Sequence, residues 1–175
     1  MDTNMDISAA REHYLDWLRD AHAMEEQAET MLKAMEGRLE HYPELRMRIT
    51  QHIQETRHQA DRLRRCIEDA GGDTSLLKDM TGKFMATMQG FSGAMASDEV
   101  VKGAMFSYAF EHMEIAAYRN LIAAARLVGD ATTARVCEEI LAEEMAMAKW
   151  LEEHMGAVVS QFLSRAGTNP GAAKR

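Results

Sequence analysis

Four glutamates in this 175-residue chain are spaced as two matched pairs. Glu25 and Glu55 are 30 positions apart, and so are Glu114 and Glu144. Each pair straddles a turn signal, Tyr42-Pro43 in the first case and Gly129-Asp130 in the second. An α-helix rises about 1.5 Å per residue, so Glu25 lies roughly 25 Å before the first turn and Glu55 roughly 18 Å after it. Glu114 and Glu144 each lie about 22 Å from the second turn. In two antiparallel helical hairpins each pair therefore reaches nearly one level. With both pairs facing inward, four carboxylates meet in the middle of a bundle. A bundle centre with little water does not tolerate four unpaired carboxylates. The usual solution is a pair of metal ions, as in the di-iron and di-manganese carboxylate bundles.

Further ligand types flank these acids. His52 and His58 each lie three residues from Glu55, one on either side. Residues three apart share a helix face, so either histidine can join Glu55 at one ion. Gln59 stands one turn beyond Glu55, where it can hydrogen-bond a ligand. Glu111 and Glu114 share a face within the apolar run that includes Phe110, Ile115 and Leu121, and Tyr118 follows one turn later. His112 points away from that face. In the last segment, Glu143-Glu144 is followed by Met147, where a second Glu-x-x-His would need its histidine. The two hairpins thus do not offer equivalent ligand sets. The plainer alternative is a solvated helical bundle rich in glutamate, because acids make up 28 of the 175 residues.

The elements that must position these residues are long helices. Tyr14, Leu15, Leu18, Ala21, Glu25, Ala28, Leu32, Met35 and Leu39 recur at three- and four-residue steps and predict a helix from 6 to about 40. Pro43 suits the first turn of a second helix, which carries Leu45, Ile49, His52, Ile53, Thr56, Ala60, Leu63 and Ile67 on one face and stops at Gly71-Gly72. Residues 74–96 show helical periodicity loosened by Gly82, Gly90 and Gly93 and read as a short helical crossover between hairpins. Ser97-Asp98 offers an N-cap for a third helix that Gly129 closes near Leu127. Asp130 caps a fourth helix running from Ala131 to about Phe162. The expected fold is all-α, a ferritin-like antiparallel four-helix bundle over residues 1–164, with a frayed tail over 165–175.

Composition narrows the class. Hydrophobic content of 46% with 27% charge describes a soluble globular chain. A net charge of −8 argues against nucleic acid as a partner. No run of 18 apolar residues occurs, so no membrane span is expected, and the acidic N-terminus is unlike a secretory signal. Cys66 and Cys137 have no metal or redox spacing and read as small buried hydrophobes in a reducing, cytoplasmic setting. The 15 methionines read as adaptable core filler, with a sacrificial oxidation sink as the alternative.

Several segments together resemble a known family. They are His13-Tyr14 with Asp16-Trp17-Leu18-Arg19-Asp20-Ala21-His22-Ala23-Met24-Glu25, Tyr42-Pro43-Glu44-Leu45-Arg46, Gln51-His52 with Glu55-Thr56 and Gln59, Ser97-Asp98-Glu99 with Val101-Lys102-Gly103, Phe110-Glu111 with Glu114-Ile115-Ala116, and Ile140-Leu141 with Glu143-Glu144. They are similar to the YciE branch of the bacterial YciE/YciF ferritin-like family, over residues 11 to about 163. The resemblance implies a ferritin-like bundle, a cytoplasmic bacterial protein linked to stress, and a dinuclear metal centre. It places the family's acids on Glu25, Glu55, Glu114 and Glu144, its helix-two histidine on His52 and an extra acid on Glu111. His58 and His112 fall outside the motif.

Few nitrogen ligands leave an oxygen-rich site, which suits two iron or manganese ions over zinc or copper. Three functions compete. One is an oxidoreductase reducing peroxide or oxygen, with Tyr118 or Glu111 assisting proton or electron movement. Another is iron sequestration, which needs a cage of many subunits. The third is a non-enzymatic stress protein whose metal holds the fold. The expected assembly is a homodimer or other small homo-oligomer.

Overall fold

The computed structural model describes residues 7–73 and 98–168. Four helices account for nearly all of them: α1 (Ile7–Glu36), α2 (Pro43–Asp69), α3 (Glu99–Val128) and α4 (Ala131–Thr168). Helix α1 pairs with α2 and α3 with α4, and the hairpins close through α1 against α3 and α2 against α4. This is the all-α four-helix bundle that the periodicity predicts. The expected crossover over 74–96 lies outside the described residues. Among the described residues no helix is long and apolar enough to cross a membrane.

The turns follow from local chemistry. Gly71 and Gly129 adopt φ of +80° and +82°. Each closes its helix with a return bond from the next residue: Gly72 N–H donates to the Ile67 carbonyl and Asp130 N–H to the Ala125 carbonyl, both at 2.8 Å. A left-handed C-cap of this kind favours glycine. Asp130 then starts α4, its Oδ1 accepting from the Thr133 backbone N–H at 2.9 Å. Its other oxygen ties the hairpin down by accepting from Tyr14 at 2.9 Å, 116 residues away.

Three boundaries differ from the sequence reading. Helix α1 ends at Glu36 rather than near 40, because Gly37 follows; Leu39 and Tyr42 are still buried, from the connecting loop. Asp98 sits at the N-cap of α3 but its side chain makes no cap bond. It pairs instead with Lys102 at 2.8 Å. Helix α4 runs six residues past Phe162 to Thr168. Gly167 does not stop it, so residues 165–168 of the expected tail are helical, and 169–175 lie outside the described residues.

The core is split into two apolar bodies. One gathers Leu18, Leu63, Ile67, Phe110, Leu121 and Ile140 toward the end with the Gly129 turn. The other gathers Leu32, Leu45, Ile49, Ile53, Met147 and Leu151 toward the Pro43 end. Cys66 and Cys137 are free and buried. Core filling accounts for only part of the methionine content: Met24 and Met147 are buried, but Met47, Met105, Met113 and Met145 are exposed.

Candidate metal centre

Charged groups occupy the waist between the two apolar bodies. Glu25 is buried on α1 in the series Tyr14, Leu18, Ala21, Glu25, Ala28, Leu32. His52 and Gln59 are buried on α2, Glu111, Glu114 and Tyr118 on α3, and Glu144 on α4. Each takes a position that a core residue would otherwise fill. The helical period that packs the bundle therefore also delivers four carboxylates and one imidazole, all able to bind a cation, to one level.

Among the described residues, His52, Glu111 and Glu144 form a group whose ligand atoms all lie within 4.8 Å of one another. His52 Nε2 is 3.2 Å from Glu111 Oε2 and 3.5 Å from Glu144 Oε2. Its Nδ1 is 2.8 Å from Glu55 Oε2. Burial alone would raise the Glu55 carboxyl, but its bond with His52 and the Arg48 guanidinium hold it at about 2. Glu55 is therefore ionised and accepts, so Nδ1 carries a hydrogen, and Nε2 is the atom turned to the acids. A carboxylate fixing one ring nitrogen while the other faces the site is how metal-ligating histidines are oriented.

Glu55 itself sits at the edge. Its side chain is 24% exposed, and both oxygens are engaged: Oε2 by Arg48 at 3.0 Å and by His52, Oε1 by Gln51 at 2.8 Å. The matched spacing therefore brings Glu55 to the right level, but behind His52. The acids that influence one another electrostatically are Glu25, Glu111, Glu114 and Glu144.

Those four are poorly satisfied. Glu25 Oε2, Glu114 Oε1 and Glu144 Oε2 are buried with no hydrogen-bond partner, and Glu111 Oε2 faces His52 Nε2 at 3.2 Å. Tyr118 donates to Glu25 Oε1, and Gln59 Nε2 donates to Glu144 Oε1. Burial, then the neighbouring acids, pushes Glu114 and Glu144 well above the carboxylate range. Burial also takes Glu25 up to about 8, against the opposing pull of Tyr118 and His52. Burial alone would lower His52, but the charge on Glu111 and the bonds to Glu111 and Glu55 lift it to about 9. Burial and Glu25 raise the Tyr118 phenol, so it keeps its proton. Four buried carboxylates around one imidazole, three of them with an unpartnered oxygen, are a donor set suited to cations. An oxygen-rich set with one nitrogen fits iron or manganese.

Of the remaining sequence candidates, His58 is exposed, and so is His112, which packs edge-on against Tyr108 with ring centroids 4.5 Å apart. Gln59 reaches Glu144 as well as Glu143, at 2.9 Å to the latter. Arg48 and Arg62 escaped the sequence reading. Arg48 is buried against Glu55, and Arg62 donates to Glu143. The available signal was spacing: Arg48 lies four residues before His52 and Arg62 three after Gln59, one helical step from each.

Residues 9–164 match the family model described as Domain of unknown function (DUF892). A solved structure of a protein from Xanthomonas campestris pv. campestris str. ATCC 33913 is 46% identical, with 90% of this chain and 99% of that one covered and a TM-score of 0.76. YcfI from Rhodopseudomonas palustris, described as a candidate structural protein, is 26% identical over 85% of this chain and 96% of its own, with a TM-score of 0.66. Sequence, fold and coverage agree: this chain belongs to the DUF892 family.

Proposed function

We propose that the waist cluster is a dinuclear iron or manganese centre serving the reduction of peroxide or oxygen in a stress-associated, cytoplasmic protein on the YciE branch of this family. The observation that carries it is the set of four buried carboxylates around His52, three of which have an oxygen with no hydrogen-bond partner. Glu25, His52, Glu111, Glu114 and Glu144 would hold the ions. Two such ions, when bound, supply the redox couple that this chemistry needs. Reducing one hydrogen peroxide to two waters consumes two electrons and two protons, and an external reductant provides the electrons.

The chain's own groups have defined tasks. Glu55, with Arg48 and Gln51, fixes the ring of His52 so that Nε2 faces inward. Tyr118 pins Glu25 Oε1 and leaves Oε2 turned to the cluster, and its protonated phenol is the candidate proton donor. Gln59 anchors Glu144. The two apolar bodies above and below keep bulk water from the waist.

The second reading is a metal-holding structural protein, favoured by the description of the Rhodopseudomonas palustris relative. Peroxide consumption by the iron- or manganese-loaded chain separates the two. Turnover should appear in loaded wild type and disappear with His52→Ala, which should also lose most of its metal. His58→Ala should keep both. Loaded wild type that leaves peroxide untouched would favour the structural reading, and metal lost with His58→Ala alone would reverse the histidine assignment. A homodimer or other small oligomer is part of the same proposal, and native mass distinguishes it from a storage cage.

A further inference from the structure

Helix α2 meets α4 along a polar seam that leads from solvent to the buried acids. Arg62 Nη1 lies 3.8 Å from Glu139 Oε2, and Arg62 Nη2 donates to Glu143 Oε2. Gln59 Nε2 donates to the same Glu143 oxygen at 2.9 Å and, at the inner end, to Glu144 Oε1. Exposure falls along this file. The Glu139 and Glu143 side chains are 48% and 36% exposed, while Gln59 and Glu144 are completely buried. Two buried atoms at the inner end, Gln59 Oε1 and Glu144 Oε2, have no hydrogen-bond partner. The other partly exposed acid at the waist, Glu55, is closed by Arg48, Gln51 and His52.

We propose that this seam is the loading route for divalent cations, with Glu143 the carboxylate that first takes the ion and Arg62 the cation that holds Glu143 between passages. The inference rests on the metal-centre reading above. A hydrated divalent ion reaches a buried site most easily by exchanging waters for carboxylate oxygens in stages. Glu143 offers the first such exchange at the surface, and a single glutamine separates it from Glu144. Both bonds that Glu143 makes here fall on Oε2, so Oε1 takes no part in them. A guanidinium and a divalent cation repel each other at one carboxylate, so Arg62 must swing aside as the ion arrives. The two side chains therefore act in opposite directions on the loading rate and neither sets the final content.

The test is stopped-flow uptake of cobalt(II) by chelator-stripped, full-length protein, read by the absorbance of the bound ion, with cobalt per chain measured at the end. Glu143→Gln should slow uptake about tenfold, the low end of what a focused field adds to an association rate. Arg62→Gln should speed it. Both should reach the wild-type cobalt content, and both should match the circular dichroism and melting temperature of stripped wild type, which excludes a folding defect. Uptake by Glu143→Gln at the wild-type rate, or uptake by Arg62→Gln no faster than wild type, overturns the route. A lower final content in Glu143→Gln also overturns it, by making Glu143 a ligand. Wild type that takes up no cobalt overturns the metal centre itself, which is a different result from unchanged rates.

Discussion

Glu114→Gln is expected to strip the protein of most of its metal and, once metal is removed from both proteins, to melt above wild type. Glu114 is 1% exposed, and its Oε1 has no partner. Burial and the charges of Glu25 and Glu111 disfavour its ionised form. In the metal-free fold it is therefore a liability, and the amide substitution removes an ionisable group from four crowded acids while keeping the volume. Alanine would confuse the result by leaving a cavity. Relieving an unsatisfied buried polar group contributes about 1–3 kcal/mol, or roughly 2–10 °C in a domain of this size. Metal binding to the folded state alone adds stability by mass action. The expected order of melting temperatures is loaded wild type, stripped Glu114→Gln, stripped wild type. A stripped variant that melts far below stripped wild type would mean that Glu114 is a structural hydrogen-bond partner and that the bland acidic bundle is the correct account.

The second large effect concerns pH. Glu25 stands at about 8 in the fold, above its ordinary 4.5. Its contribution to stability is complete below pH 4.5 and is lost as pH rises through 8. His52, at about 9 against 6.5, behaves the same way: its contribution is complete below 6.5 and lost through 9. Glu55, at about 2, runs oppositely, with its contribution present above 4.5 and lost as pH falls through 2. Each group changes stability by about 1.4 kcal/mol per pH unit inside its window. Stripped protein should therefore be most stable near pH 4.5–5 and weaken steadily toward pH 9. The loaded protein should do the reverse, because ligands bind ions as carboxylates and neutral imidazole, so affinity rises with pH. The melting-temperature gap between loaded and stripped protein should widen from pH 5 to pH 8. A gap that narrows over that range would show that these groups do not bind metal.

The elements were legible because the helices are long and strongly periodic. The Tyr14-to-Leu32 series on α1, Pro43 at the start of α2 and the Gly129-Asp130 turn all act locally, and their outcome follows from steric and capping rules. Level was legible too, since distance from a turn converts directly to height along a helix. Azimuth was harder. Glu55 has the right height, but the buried stripe of α2 passes through His52, Ile53, Thr56 and Gln59 and misses it. The apolar face read from sequence already contained His52 and Thr56 and not Glu55, so the signal was present. Ala60 was placed on that face, whereas Gln59 is the fully buried residue beside it. A stripe of mixed polar and apolar residues does not announce which neighbour turns in. Pairings across helices were not legible at all: Arg62 with Glu143 joins residues 81 positions apart, and Tyr118 with Glu25 joins residues 93 apart. Such pairs depend on which helices become neighbours and on rotamers chosen in the packed bundle.

The central claim is that the waist holds two metal ions. Metal content per chain, by elemental mass spectrometry on protein purified without chelator, tests it most directly. The account predicts two ions of iron or manganese per chain in wild type and a large loss in Glu114→Gln. One ion per chain would contradict the dinuclear centre. None, in protein that also takes up no iron or manganese when these are added back, would contradict the metal site altogether.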